Sequence, residues 1–327
     1  MRKIPVALVV LGLVTVGLTG CSLSSSSSAD CSRTPVANPD VMKLIDVTGD
    51  TDSEPKVDVY TPLHASHLGY EDVVTGDGTA ITSDDQLMVM DVSLFSGATG
   101  DPIVATAYDG DLSRVTSPSQ WATNFPGFET ALECATAGSR VAVALSPDDL
   151  GADVASSFQL AADDSVVAVL DVHKVYLASA TGALQFNSGF GLPSVVRAPG
   201  GRPGITIPSG TPAPKDLVIQ TLIKGDGEKV TGDQPVRVHY TGVVWGADEA
   251  FDTTWDGSGA SVTLDGVVPG FAKALEGQTV GSQVMVVIPP SQGYGDEEKA
   301  SIPANSTLVF VIDILGLDAE APASDQG

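Results

Sequence analysis

The chain repeats itself, and that repetition limits it to a pair of like units. Pro126-Gly127-Phe128, Ala131-Leu132-Glu133, Thr136, Gly138-Ser139, Val141 and Val143 recur without a gap as Pro269-Gly270-Phe271, Ala274-Leu275-Glu276, Thr279, Gly281-Ser282, Val284 and Val286, which is 11 identities in 18 positions. Upstream, Gly76-Asp77-Gly78 and Ile81-Thr82 answer Gly225-Asp226-Gly227 and Val230-Thr231. Downstream, Val166 to Val172 parallels Leu308 to Ile314, with Asp171 opposite Asp313, and Val57-Asp58-Val59 answers Ile205-Thr206-Ile207. A chain of 327 residues has room for two domains of ordinary size, so the repeat predicts a domain over 41–178 and a second over 203–317.

The second copy is the richer in chemistry. Val236, Val238 and Tyr240 alternate with Arg237, His239 and Thr241, the period of a strand with one apolar face that ends in a phenol. Val284 to Ile288 is a continuous apolar strand stopped by Pro289-Pro290, and Leu308 to Leu315 is another. Pro269-Gly270 opens a short helix whose Phe271, Ala274 and Leu275 form one apolar stripe. An α+β unit follows: a curved antiparallel sheet packed on one short helix, with Phe271 turned to the sheet.

Four motifs occur in order: Val238-His239-Tyr240-Thr241-Gly242, Phe251-Asp252, Pro269-Gly270-Phe271, and Pro290 to Gly295 followed by Ile302-Pro303-Ala304-Asn305 and Leu308 to Leu315. This pattern resembles the FKBP-type peptidyl-prolyl isomerases, the macrolide-binding immunophilins, over nearly a whole domain. The resemblance implies a pocket of Tyr240, Phe251, Asp252, Val267, Val268, Phe271, Tyr294, Ile302 and Phe310. The helix-start aromatic is Phe271 where the family usually has Trp; Gly257 and Ala260 stand where it often has an Arg and an aromatic, and Ser301 precedes Ile302. The activity implied is rotation of X-Pro bonds in polypeptides, with macrolide inhibitors as possible ligands. The same pocket would also suit a binding protein that holds chains without turnover.

The implied chemistry needs no nucleophile, metal or cofactor. Twisting a peptide bond costs about 18–20 kcal/mol of lost resonance. A dry pocket for the proline ring lowers that barrier, as do donors aimed at the twisted carbonyl. By resemblance, Tyr240, Asp252, Tyr294 and the Val268 N–H would be the catalytic groups. Phe251, Val267, Phe271, Ile302 and Phe310 would form the substrate pocket. Read singly, the phenylalanines also suit a plain core, the tyrosines suit strand and turn positions, and Asp252 suits an Asx turn before Thr253-Thr254. His239, across the strand from Tyr240, reads as a surface histidine.

The first copy keeps the framework and lacks the pocket. Asp91 falls opposite Tyr240, Gly151 opposite Tyr294 and Ala168 opposite Phe310, and Phe251-Asp252 finds no partner near Gly100 to Ile103. It reads as a degenerate FKBP-like domain without isomerase activity, suited to holding clients, contacting a protein or acting as a spacer.

Residues 1–20 read as a lipoprotein signal peptide. Arg2 and Lys3 precede a short apolar run, and Leu18-Thr19-Gly20-Cys21 matches the bacterial lipobox. Cys21 would carry the lipid, and two acyl chains suffice for stable anchoring. Residues 21–40 are a serine-rich tether. The expected location is the extracytoplasmic face of the cell membrane, with contact to the membrane through the anchor alone. A net charge of −25 argues against nucleic acid as a partner. A monomer is expected. Cys31 and Cys134 could pair outside the cytoplasm, or Cys134 could be a small buried residue, since it stands opposite Gly277. His64-x-x-His67 and Asp50-x-Asp52-x-Glu54 lack the further ligands and spacing of metal sites. Residues 179–202 read as a Gly/Pro-rich linker hinged at Pro199-Gly200-Gly201, and 318–327 as a disordered acidic tail.

Overall fold

The structure, a computed structural model, describes residues 31–187 and 189–319. The signal segment, Cys21 and the serine run lie outside the described residues, as do residues 320–327.

The first copy comprises β1 (Val36–Ala37), α1 (Pro39–Met42), β2 (Ile45–Thr48), β3 (Lys56–Val59), β4 (Gly69–Val74), β5 (Met88–Ser96) and β6 (Pro102–Ala105). It continues with α2 (Pro118–Ala122), α3 (Gly127–Leu132), β7 (Arg140–Leu145), α4 (Ala152–Ser157) and β8 (Val166–Val175). The second comprises β9 (Ala183–Leu184), β10 (Ser194–Arg197), β11 (Pro203–Thr206), β12 (Val218–Lys224), β13 (Val236–Val244) and β14 (Ala250–Thr253). Then come β15 (Ala260–Val262), α5 (Pro269–Leu275), β16 (Gln283–Ile288) and β17 (Leu308–Leu317).

The main sheets run β1-β4-β7-β8-β5-β6 and β9-β12-β16-β17-β13-β14, the same order strand for strand, with all pairs antiparallel. β15 is an addition in the second copy, paired to β13. Each copy also has a separate hairpin, β2–β3 or β10–β11.

That hairpin explains the continuous apolar strands. In β16, Val284, Val286 and Ile288 face α5 and the main core, while Met285 and Val287 face a second core with Val195, Ile205 and Ile207 of the hairpin. In β7, Val141, Val143 and Leu145 face α3, and Ala142 and Ala144 face Val47 and Val59. A strand covered on both faces has no reason to alternate. Each fully buried Val or Met is worth roughly 1.5–3 kcal/mol of transfer free energy.

Several expectations need correction. The first copy is not built on one helix; among the described residues it has four α-helices, and α1, α2 and α4 have no counterpart in the second copy. Residues 179–202 are not a linker. Ala180 N–H donates to Asp313 at 2.8 Å, Thr181 and Gly182 N–H donate to the Gly281 carbonyl, and β9 pairs with β12. Pro199-Gly200-Gly201 is the tip of the β10–β11 hairpin, because Arg197 pairs with Pro203 on either side of it. Asp318 does not belong to a free tail: it is buried and its carboxylate accepts from Arg237 at 2.8 Å.

The two copies are docked directly. Tyr176, which follows β8, is buried with Leu87, Val89 and Leu315, and Leu177 N–H donates to the Leu315 carbonyl at 3.0 Å. Tyr176 fits because residue 316 is glycine: a Cβ there would lie 2.6 Å from its ring.

Candidate active site

The site sits between α5 and the face of the second sheet that packs against it. β13 carries Tyr240, β14 carries Phe251 and Asp252, α5 carries Phe271, and β17 carries Phe310. Val267 and Val268 lead into the helix. Val268 is its N-cap, and its carbonyl accepts from Phe271 and Ala272 N–H. The helix starts there because Pro269 presets the first helical turn.

The aromatics meet edge to face. Phe310 lies 5.5 Å from Phe251, 5.1 Å from Phe271 and 5.9 Å from Tyr240, with interplanar angles of 88°, 86° and 71°. Tyr240 meets Phe271 at 5.8 Å. Such pairs each add about 0.5–1.5 kcal/mol beyond area burial. Gly242 makes the packing possible, since a Cβ there would stand 2.7 Å from both Phe251 and Phe310. Ile302, Val267 and Val268 complete the apolar wall.

The polar groups gather at the rim. The Tyr240 hydroxyl donates to Asp252 Oδ2 at 2.5 Å. Burial, and then the Asp252 carboxylate, hold that hydroxyl protonated well above its usual range. The Tyr294 ring is more than a third exposed, and no described hydrogen bond uses its hydroxyl. Its loop is fastened by Gly295 N–H to the Pro290 carbonyl and Asn305 N–H to the Gly295 carbonyl. The Val268 N–H has no acceptor among the described backbone hydrogen bonds. The arrangement is an aromatic floor with donors at its edge. Among the described residues there is no cluster of three or more His, Cys, Asp or Glu that could hold a metal.

Sequence reasoning missed the support behind this site. Thr254 Oγ accepts from Tyr240 N–H at 2.9 Å and meets His239 Nδ1 at 3.1 Å. His239 is not a plain surface histidine. It is half-buried, stacks on Trp255 at 4.4 Å, and is pushed down to about 4 by burial, so it is neutral at pH 7. The only signal was the run Phe251-Asp252-Thr253-Thr254-Trp255 itself. Asp252 does not make the Asx turn that Thr253-Thr254 suggested; Thr254 N–H donates to the Tyr240 carbonyl.

In the first copy the strand register corrects the expected correspondence. Asp91 pairs with Asp171 as His239 pairs with Asp313, so Asp91 stands opposite His239 and Val92 opposite Tyr240. Leu94 pairs with Val104 as Gly242 pairs with Asp252, so Ile103 and Val104 occupy the places of Phe251 and Asp252. The pocket space is filled. Phe125 stacks on Phe128 at 4.8 Å, with Trp121, Leu150, Val154 and Phe158 around them. Cys31 and Cys134 are joined in a disulfide. Cys134 has φ +60° and Gly277 has φ +77°, so the same left-handed corner follows the helix in both copies.

The sequence pattern of the FKBP-type peptidyl-prolyl cis-trans isomerases matches residues 226–315, which include every residue of this pocket. A probable FK506-binding protein of Corynebacterium glutamicum is 38% identical over 115 residues, spanning 35% of this chain and 97% of that protein. This chain belongs to the FKBP-type peptidyl-prolyl cis-trans isomerase family. It is a peptidyl-prolyl cis-trans isomerase, and the isomerase signature lies in its second copy. The peptidyl-prolyl cis-trans isomerase FKBP15-3 of Arabidopsis thaliana is 36% identical over 117 residues, or 35% of this chain and 82% of that one. The FKBP-type isomerase FkpA of Escherichia coli is 36% identical over 109 residues, 33% of this chain and 40% of FkpA. The crystal structure of that FkpA aligns with 31% of this chain and 48% of its own at a TM-score of 0.30.

Proposed function

We propose that the chain is an exported, lipid-anchored foldase, whose second domain isomerises X-Pro bonds in newly exported polypeptides at the outer face of the cytoplasmic membrane. The proline ring would rest on Phe271 and Phe310 between Tyr240 and Phe251. The twisted carbonyl would accept from the Tyr294 hydroxyl and the Val268 N–H, while Asp252 holds Tyr240 in place. The single observation that carries the mechanism is the Tyr240–Asp252 hydrogen bond at 2.5 Å over a floor of edge-to-face aromatics. Tyr240 is then oriented before substrate arrives. Two features support the location: the lipobox sequence ending at Cys21 and the Cys31–Cys134 disulfide, a bond that persists in oxidising compartments. The first domain, its pocket space occupied by Phe125 and Trp121, would not catalyse.

The test has two arms. In cells, Cys21→Ser should release the protein from the membrane fraction and abolish fatty-acid labelling; retention of both would remove the anchor from the reading. In vitro, Tyr294→Phe and Asp252→Ala should slow cis-to-trans conversion of an X-Pro peptide. Unchanged rates in both variants would move the chemistry away from these groups.

A further inference from the structure

The first domain has a cavity of about 250 Å³ that adjoins its filled proline-pocket space across Trp121. It lies against Val89, Met90 and Asp91 of β5, is bordered on the other side by the loop 106–116 and Trp121, and is partly open to solvent. The comparison with the second copy says what is missing there. In that copy β15 pairs with Val236, Arg237 and Val238 of β13. Among the described residues of the first copy no strand takes that place, and only the Met88–Thr116 bridge matches the Val236–Val262 pair. The loop touches the β5 edge through the Met88–Thr116 bridge at one end and through Thr106 at Val92 at the other. Val89 to Asp91, between those points, are left without a neighbouring strand on that side, and the cavity occupies the gap.

The lining favours a neutral ligand with an apolar part. Val89, Met90, Leu112, Val115 and Trp121 supply apolar surface. The charged groups on the wall are already paired: Asp91 accepts from Thr106 Oγ at 2.5 Å and meets His173 Nε2 at 2.9 Å, and Arg114 pairs with Asp109 and Asp111. One strong polar group is left over. The Trp121 indole N–H is buried and has no acceptor, a state that costs about 1–3 kcal/mol unless a partner arrives.

The geometry points to a polypeptide-binding site: a short extended segment adds to the β5 edge beside Met90, puts one apolar side chain into the cavity and accepts a hydrogen bond from Trp121 Nε1 through a backbone carbonyl. Edge addition supplies affinity through main-chain hydrogen bonds, and the pocket supplies a preference for apolar residues. The amide backbone is the ligand that fits a neutral gap of strand width with a lone donor. The site is independent of the isomerase pocket and would hold a client while the second domain acts on it.

The test uses the full chain and a permanently unfolded probe, reduced and carboxymethylated α-lactalbumin carrying a benzophenone photo-cross-linker. Cross-links are mapped by mass spectrometry, affinity is read by fluorescence anisotropy, and X-Pro peptide isomerisation is measured in parallel. Cross-links are expected at Val89–Asp91 and Gly110–Thr116. Trp121→Phe should weaken first-domain capture about two- to tenfold with the isomerisation rate unchanged. Arg114→Trp, on the exposed loop, should block the cavity mouth and remove the first-domain cross-links. Cross-links confined to the Tyr240–Tyr294 pocket, cross-links elsewhere in the first domain, or capture unaffected by both substitutions would overturn the proposal. Loss of isomerisation would bear on the other site alone.

Discussion

The two copies share a sheet, a helix and a covering hairpin, and Phe128 matches Phe271, yet they differ at most of the other positions that would handle a proline. Where the second copy has Tyr240, Phe251, Asp252 and Phe310, the first has Val92, Ile103, Val104 and Ala168. The first copy then spends its extra helices filling the space, so Phe125 and Phe128 are at most 6% exposed. The fold is held by β-strand order, the helix and the left-handed corner after it. In the proposed mechanism catalysis rests on a few rim groups that the fold does not need, since the first copy is folded without them.

The comparison can be broken most directly at the rim. Tyr294→Phe and Asp252→Ala should each lower kcat/KM for an X-Pro peptide roughly ten- to hundredfold, with little change in Tm. Val104→Ala, the matching site in the first copy, should leave the rate unchanged. Equal losses from both domains would erase the distinction drawn here.

A second contrast lies behind the sheets. Arg140 is wholly buried, donates to Asp171 at 2.6 and 2.9 Å, and reaches the carbonyls of Gly49, Asp50 and Ser53 at the turn of the β2–β3 hairpin. The second copy has Gln283 there, donating to Asp313 at 2.7 Å, and its cation comes from the hairpin instead, as Arg197. Arg140→Gln should therefore cost about 3–5 kcal/mol in denaturant unfolding, because it strands a buried carboxylate. Gln283→Ala should cost only about 1–2 kcal/mol.

The disulfide sharpens the same point. Replacing both cysteines with serine should destabilise the chain by about 2–5 kcal/mol. With Gly at 134, as in the second copy, about 1 kcal/mol should return, since a serine at φ +60° is strained and a glycine is not. Urea midpoints of the two double variants would separate these terms; equal midpoints would mean the corner is unstrained.

The smallest effect concerns Asp313, whose carboxyl is pushed up to about 6, chiefly by burial. Below pH 4 it is protonated in both folded and unfolded chains. Between about pH 4 and 6 only the unfolded chain ionises, so stability falls as pH rises through that window and is flat above it. The stability of the native chain minus that of Asp313→Asn should drop by about 2 kcal/mol across that window. A difference constant with pH would place the carboxyl near its ordinary value.

Much of this was legible in the sequence, for physical reasons. The helix start, the glycine after it and the apolar strands are local signals, and the pocket aromatics come together as the motifs imply. The register between Asp91 and Tyr240 was not legible. Met88 to Phe95 are buried on both faces, so alternation cannot distinguish one offset from the next, and a one-residue slip exchanges the faces. The Thr254–His239–Trp255 support, the docking of 180–184 on the second sheet and the hairpin of 194–206 were hidden because loop residues act through long-range contacts that carry no period. Glycine and proline at 199–201 mark a turn, and the sequence alone does not say whether a turn joins strands or domains.

The bond between Cys31 and Cys134 spans 103 residues. Tension applied at residue 31 passes straight to Cys134 and bypasses every residue between, including β1 to β6 and the edge at Met90. In a stretching experiment those residues would add nothing to the extension while the bond is intact, and on reduction they would release up to roughly 36 nm of contour length, at about 3.5 Å per residue. The first domain is thus mechanically short-circuited: a pull from the N-terminal side is carried past most of it, and what yields first is whatever follows residue 134.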